Sequence, residues 1–495
     1  MIMPTWTASY LPGCALYFFL FMSFGSITPF LPVIWQRMGM SDDAIGLLGA
    51  IRPIVSLFAT PLICAFAARH RIEQKVLYGL VVLFAITRSS VLIAGGFLAL
   101  AAVEASCSVA QSPIINLIDS AVRHSFGSSG YGSQRMWGAA GFGTAPFISG
   151  FVYDNTAGGY ENVVVVFVVV LGLALVAALG VPVGTNGEPS DSQNSEGSRY
   201  RPGKCHDHPT NGETELRECG PQGDDEPPDK SVEVLAARDD RENSRETGFR
   251  GTPKKEGNGV LSAVWLMFST PRNASFFTAV VLSGMGKGII DTFRFVWLDE
   301  LGGSHVLLGL TQIVMCAAEV PFFYLSGPMI RTIGSRNVVA LAQLGYLVRF
   351  AYYSASGTHL FHVLQDPWWV LPAEVLHGLT FAAMWAATTD YAHKISPAHM
   401  RTTVQGSAWG LKQGFGLGLG SVLGGALYSS LGPRMCFRIS AALPSVSLLL
   451  LVTPPWIKGG GAQSEELAVE QGLEHWESIR SPRVHQRSEE GVQPE

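Results

Sequence analysis

The sequence predicts an all-α membrane protein of twelve transmembrane helices in two six-helix halves. Three observations carry that reading. Apolar segments of spanning length recur along most of the 495 residues. Charged residues make up only 15% of the chain, where a water-soluble domain carries about 25%. The first group of spans also repeats, with its charged positions, in the second. Mean hydropathy of +0.25 agrees.

A spanning helix needs about 20 mostly apolar residues, because the hydrocarbon core is about 30 Å thick and a helix rises about 1.5 Å per residue. The first such run follows Tyr10 and reaches Trp35. No basic residue precedes it and it is longer than the apolar part of a signal peptide, so it reads as a span rather than a cleaved leader. The first six spans fall at about 12–35, 43–67, 76–94, 96–119, 136–154 and 162–183. Only Gly95-Gly96 separates the third from the fourth. A polar stretch, about 184–260, is rich in Gly, Pro, Ser and charged residues and is expected to be disordered. Six more spans follow at about 274–298, 306–329, 337–356, 368–392, 404–430 and 436–456. The expected organisation is a first half at 1–183, a loop at 184–260, a second half at 261–457 and a disordered tail at 458–495.

Loop charge sets the expected orientation, since basic residues in short loops favour the cytoplasm. With both termini inside, the inner loops hold Arg69, Arg71, Lys75, Arg123, Arg135, Arg331, Arg336, Lys394 and Arg401, whereas the outer loops hold Arg37, Arg434 and little else. The long loop is then cytoplasmic, and the sequon Asn273-Ala274-Ser275 faces inside, unmodified. The net charge of −5 gathers in the soluble pieces. Five of the seven cysteines (Cys14, Cys64, Cys107, Cys316 and Cys436) lie in apolar segments and read as small fillers. Cys205, His206, His208 and Cys219 match no usual zinc spacing, so neither a metal nor a cofactor is expected.

The repeat is specific. Gly39-Met40-Ser41 precedes Gly46-Leu47, and Gly302-Gly303-Ser304 precedes Gly309-Leu310 at the same spacing. Arg88, Glu104 and Asp119 in the first half match Arg349, Glu374 and Asp390 in the second. Parallel six-span repeats joined by a long loop are an arrangement of secondary transporters.

The chain resembles the major facilitator superfamily, and within it the group resembling major facilitator superfamily domain-containing protein 6, related to lactose permease and nucleoside–proton symporters. The residues that carry this are Gly46-Leu-Leu-Gly-Ala-Ile-Arg52-Pro53, Asp119-Ser120-Ala121, Tyr131-Gly-Ser-Gln-Arg135-Met-Trp137-Gly138, Trp297-Leu-Asp-Glu-Leu-Gly-Gly303-Ser304, Glu319-Val-Pro-Phe322, Trp368-Trp-Val-Leu-Pro-Ala-Glu374-Val-Leu-His-Gly-Leu-Thr-Phe381 and Thr403-Val-Gln-Gly406. Many members carry a Gly-x-x-x-Asp-Arg-type loop after the second span. Here it reads Ala65-Phe-Ala-Ala-Arg69-His70-Arg71, without the acid, while Gly327 to Arg336 keeps the glycines and bases better.

Ionisable groups at bilayer depth are costly unless paired or wet, which marks them as candidates. Those selected are Arg52, Arg88, Glu104, Lys287, Asp291, Arg294, Glu319, Arg349, Glu374, Asp390 and Lys412, with Asp119 at a helix end. The resemblance implies a cavity lined by the first, fourth, seventh and tenth spans, with Glu104, Lys287, Asp291, Arg294 and Glu374 on it. Lys287 and Asp291, four apart, share a helix face and can pair. The simpler readings are structural pairing for these two, solvation for Asp119 and Asp390, snorkelling for Arg294, and a Pro321 kink that satisfies Glu319. Arg88 and Glu104 fall at equal depth on neighbouring helices, as do Arg349 and Glu374, so an Arg–Glu pair is expected in each half. A carboxyl removed from water exchanges protons closer to neutral pH, the property that proton coupling requires.

The glycines of Gly414 to Gly420 lie in an apolar span with no preceding strand, so they read as helix-packing positions and not as a nucleotide loop. No nucleophile–base set, phosphate loop or metalloprotease motif is present, so an enzyme is not expected. The expected function is secondary active transport (symport) of a small solute by alternating access, coupled to protons. The alternative is a transporter-like receptor or scaffold that moves nothing. The expected partners are a small-molecule solute, a proton and the lipid bilayer, with no nucleic acid; the sequence does not fix the oligomeric state, and a monomer is compatible with it.

Overall fold

The computed structural model describes residues 10–179, 259–356, 366–397 and 400–452, without the side chains of 124–133. The expected disordered loop and tail, and the Cys205–Cys219 region, lie outside these residues. The described helices belong to one compact unit. Residues 10–179 are called the first half below and 259–452 the second.

Among the described residues ten helices are long and apolar enough to cross a membrane. In chain order the helices begin with α1 (Tyr10–Ile27), which passes through a 3-10 turn at Thr28–Phe30 into α2 (Leu31–Arg37). Pro29 and Pro32 lie at this break, where proline removes backbone donors from the helical ladder. Then come α3 (Asp42–His70), α4 (Glu73–Ser89), α5 (Gly96–Asn155) and α6 (Tyr160–Ala178). The second half opens with a short α7 (Gly259–Phe268), followed by α8 (Pro271–Glu300), α9 (His305–Ile333) and α10 (Ser335–Ala355). The tenth expected span is a composite of α11 (Leu371–Val375), a π-helical segment Gly378–Ala383 and α12 (Met384–Ile395). The eleventh is α13 (Arg401–Trp409), a second π segment Gly410–Gly416 and α14 (Leu417–Leu431). The last is α15 (Pro433–Ser440) with α16 (Ala442–Val452).

The fourth and fifth expected spans fall in one continuous helix, α5, rather than in two separated by a loop. Arg135 Nε nevertheless lies 3.7 Å from Asp119 Oδ1. Sixteen residues of straight helix would hold them about 24 Å apart, so the path turns back on itself between them. The returning arm, from Gln134 to Asn155, and α10 occupy the places of the fifth and ninth expected spans, but neither is among the ten apolar helices.

The sequence repeat is a repeated turn. Gly39 and Gly302 both adopt positive φ, 83° and 81°, a conformation that costs glycine least. Two residues later Ser41 and Ser304 cap the next helix, their side chains accepting from the Ala44 and Leu307 amides at 3.4 and 3.2 Å. The next glycine of each copy sits where the halves meet. A Cβ on Gly46 would stand 2.6 Å from the Ser421 carbonyl, and one on Gly309 would collide with the backbone of Phe147. The first half therefore docks through α3 on α14, and through the end of α5 on α9.

Glycines also set the eleventh span against the seventh. A Cβ at Gly288 would strike the Leu417 carbonyl, and one at Gly420 the Met285 carbonyl. Small residues permit this close approach where lipid offers no hydrophobic drive for helix association. Outside, large apolar side chains such as Ile93, Leu98, Leu62 and Val176 are exposed, at 85, 82, 70 and 66%, whereas Arg88, Glu104, Glu374 and Lys412 are completely buried. Apolar outside and charged inside is the distribution a bilayer imposes.

Candidate functional site

A cavity of about 500 Å³ lies between the halves. The first half contributes Phe21, Trp35, Arg52, Arg135 and Phe142 to its wall, and the second contributes Lys287, Asp291, Arg294, Glu319, His377 and Phe381. Arg52 and Pro53 lie mid-way along α3; Lys287, Asp291 and Arg294 follow one face of α8; Glu319 comes from α9. Glu374, His377 and Phe381 come from the tenth span, where the π segment re-aims the helix face. Such local widening recurs at functional sites.

In the second half the charges form one connected cluster. Glu374 Oε2 accepts from Arg349 Nη2 at 2.8 Å and from Arg294 Nη1 at 3.0 Å. Its other oxygen accepts from the Tyr353 hydroxyl. Arg349 Nη1 lies 3.4 Å from both Thr380 Oγ1 and His377 Nδ1. The far nitrogen of the same imidazole, Nε2, is 3.2 Å from Glu319 Oε1. The ring stacks on Phe381, 5.4 Å between centroids and 8° from parallel. A chain of polar contacts thus runs from Glu319 at the cavity through His377 and Arg349 to the buried Glu374, and back to the cavity at Arg294.

The first half carries a simpler arrangement. Arg88 Nη1 donates to Glu104 Oε1 at 2.6 Å and Nη2 to Oε2 at 3.4 Å, a fork-to-fork pair with both side chains wholly buried.

Several expectations change. Glu104 and Glu374, expected on the cavity wall, do not line it; both are fully buried and turned to their arginine partners. Arg294 does not snorkel to a helix end; it is only 3% exposed and is held by Glu374 and by Gln312 Oε1 at 3.3 Å. Asp119 and Asp390 are not merely solvated. Tyr17 donates to Asp119 at 2.6 Å, and Asp390 accepts from Lys394 at 2.7 Å and from Ser335. Lys287 and Asp291 pair on α8. Lys412, expected to be a charge partner, pairs with no carboxylate among the described residues; its Nζ lies 3.6 Å from Met384 Sδ and 5.6 Å from the Phe381 ring centre. Arg52 forms no ion pair or side-chain hydrogen bond among the described residues, although Glu104, Arg88 and Asp291 act on it at longer range. No group of His, Cys, Asp or Glu among the described residues is arranged to hold a metal.

Sequence reading missed His377, Arg135 and Phe381 as site residues. His377 and Phe381 were legible in principle, since positions three and seven after Glu374 share its helix face. Arg135 read as a loop charge and enters the cavity only because α5 turns back.

A second polar cluster ties the halves together at the end that carries Arg37. Arg37 Nη2 donates to Asp299 Oδ1 at 3.0 Å and contacts His305 Nε2 at 3.4 Å, and Nη1 donates to the Tyr153 hydroxyl. His305 Nδ1 lies 2.9 Å from Asp154 Oδ1, and the Val306 amide donates to Asp154 Oδ2 at 3.0 Å. Gln36 Nε2 donates to Glu300 Oε1 at 2.8 Å.

Comparison with known proteins is consistent with this architecture. Residues 13–439 match the MFS_1 like family. The maltose permease of Geobacillus stearothermophilus is 24% identical over 444 residues, covering 88% of this chain and 92% of the permease. A major facilitator superfamily domain-containing protein 6-like protein of Danio rerio is 22% identical over 200 residues, 40% of this chain and 35% of that protein. Among solved structures, the nucleoside transporter NupG superposes with a TM-score of 0.63 at 17% identity, covering 90% of this chain and 98% of NupG. A bacterial homologue of the lysosomal transporter Spinster, in an inward-facing conformation, gives 0.57 at 15% identity over 94% and 97% of the two chains.

Proposed function

This chain belongs to the MFS_1 like family, a transporter family of multi-pass membrane proteins, and from that premise we propose that it is a secondary active transporter moving a small solute by alternating access, coupled to protons. The observation that carries this reading is the cavity itself. It lies at the junction of the halves, takes its wall from both, and presents charged and aromatic side chains at a depth where charge is otherwise costly. A volume of about 500 Å³ suits a small solute.

Alternating access requires an interface that can open at one end while it closes at the other. The Arg37 cluster supplies a closure made of polar contacts. The Arg37–Asp299 pair keeps contact with water, and ion pairs of that kind contribute only about 0–1 kcal/mol each. In the structure these contacts join the two halves at that end. Loop charge favours placing that end outside and both termini, with the 184–260 loop, in the cytoplasm.

Proton coupling needs an acid that meets both the cavity and the buried charges. Glu319 fits that requirement. It faces the cavity and touches His377, which leads to Arg349 and Glu374. Protonation of Glu319 removes its contact with the imidazole and changes what the rest of the cluster must neutralise.

The test is uptake into proteoliposomes that contain the purified full-length chain, across a panel of sugars, nucleosides, peptides and organic acids, with and without an inward proton gradient. Gradient-dependent uptake of one class above empty liposomes is the expected result. A folded, monodisperse chain that moves no member of the panel would favour a receptor or scaffold.

A further inference from the structure

The positive charges around the cavity exceed what the carboxylates there can satisfy. Asp291 is taken by Lys287, Glu374 by Arg349 and Arg294, Glu104 by Arg88, and Glu319 by contact with His377. Two cations are left over. Arg52 lines the cavity from the first half with no ion pair among the described residues. Lys412, from the second half, is fully buried and, among the described residues, meets a thioether and the Phe381 ring.

The leftovers are on touching helices. A Cβ on Gly414, two residues from Lys412, would stand 3.5 Å from the carbonyl of Pro53, the neighbour of Arg52. The same Phe381 ring that faces Lys412 also lines the cavity and has Lys287 Nζ 5.8 Å from its centre. A cation partly removed from water without a counter-ion in contact is unfavourable. The cost falls when an anion enters, and a guanidinium fork matches a carboxylate with two parallel hydrogen bonds.

We propose that the solute is a small organic anion whose carboxylate is received by Arg52. This rests on the transporter reading above and narrows its substrate class. The carboxylates already at the cavity do not repel such a solute strongly, because each is held by a partner. A neutral solute leaves Arg52 unsatisfied, and a cationic one adds to the surplus. Phe21, Trp35, Phe142 and Phe381 give the apolar remainder of the solute its contact surface.

The experiment compares acids with their own amides, which differ in charge and hardly in shape. The full-length chain in detergent is titrated with benzoate and benzamide, indole-3-acetate and indole-3-acetamide, maltose and uridine, and the unfolding midpoint is followed. The same solutes are then offered to proteoliposomes. At least one acid is expected to raise the midpoint and to be taken up where its amide does neither. Arg52→Gln is expected to weaken that acid's apparent Kd by about tenfold or more, the loss for one charged hydrogen-bonding partner. Arg52→Lys retains part of the affinity, which separates lost charge from misfolding. Equal shifts from acid and amide, no shift from any acid, or unchanged acid binding by a folded Arg52→Gln protein would overturn the proposal. Uptake of maltose or uridine with indifference to acids refutes the anion and leaves the transporter reading standing. Acid binding that depends on Arg52, without uptake of any solute, refutes transport and leaves the anion site standing.

Discussion

Arg88 donates to Glu104 at 2.6 Å across two neighbouring helices, and neither side chain reaches solvent. Arg349 and Glu374 stand in the same relation in the second half at 2.8 Å, but there Arg294 from a third helix shares the same carboxylate oxygen at 3.0 Å. The repeat has kept the pair and added a cavity-lining cation to one copy. This asymmetry separates the static part of the structure from the part fit to respond to a ligand.

The first-half pair is expected to be structural. Glu104→Gln strands Arg88 and should lower stability by about 3–5 kcal/mol, read as a fall in the unfolding midpoint of detergent-purified protein. Arg88→Leu combined with Glu104→Leu removes both charges and should regain most of the loss, because an apolar replacement of a buried pair is often neutral. A single variant as stable as the parent would show that Arg88 finds another partner.

The second-half pair should behave differently. Glu374→Gln strands two guanidiniums. Adding Arg349→Gln relieves only one of them, so the double variant should recover less than its first-half counterpart and stay about 2 kcal/mol or more below the parent, within the range for an uncompensated buried charge. Thermal unfolding of the four proteins decides this. Full recovery of the Glu374→Gln, Arg349→Gln protein would mean that Arg294 does not depend on Glu374.

Much of this was legible in the sequence, and the failures have physical causes. The spans and the repeated turn were readable because a bilayer demands long apolar runs and because Gly39 and Gly302 need a conformation that other residues avoid. The Arg–Glu pairs followed from depth, since consecutive antiparallel helices fix matching heights. Which face each helix turns to the cavity was not readable from depth alone. Glu104 and Glu374 share a depth with cavity residues but turn away from the cavity. Arg135 read as a charge of the polar stretch between the fourth and fifth spans, and its place beside Asp119 at the cavity depends on how α5 folds back, which the sequence does not specify. His377 was overlooked because an imidazole in an apolar run reads as filler, although its place three residues after Glu374 put it on the same helix face.

The interface at the Arg37 end should respond to bulk. Gly309→Leu places a side chain where Phe147 backbone now lies, and such overpacking costs about 1–3 kcal/mol. That cost falls on the closed state alone, so the opposite state should gain about five-fold or more in population. In a protein with its native cysteines replaced, a cysteine at Thr28 on the cavity wall should then react correspondingly faster with a membrane-impermeant maleimide applied from the Arg37 side. An unchanged rate in a folded variant would show that this contact is not a gate.

Orientation makes a separate prediction. In sealed cells Cys205 and Cys219 should resist impermeant maleimide and react fully once the membrane is permeabilised, as the Lys/Arg asymmetry of the short loops requires. Labelling from outside would reverse the assignment of both ends and place the Arg37 closure in the cytoplasm.

The central claim is that Glu319 couples a proton to solute movement, and solute-driven proton flux measures it most directly. Proteoliposomes are given a transported solute in weakly buffered medium, and external pH is followed with an impermeant dye while solute exchange is measured in parallel. The account predicts that the parent protein alkalinises the medium as solute enters. It predicts that Glu319→Gln abolishes this proton uptake, and uphill accumulation with it, while exchange of solute across the membrane persists. Undiminished proton uptake by Glu319→Gln, at a normal rate of solute entry, would contradict it.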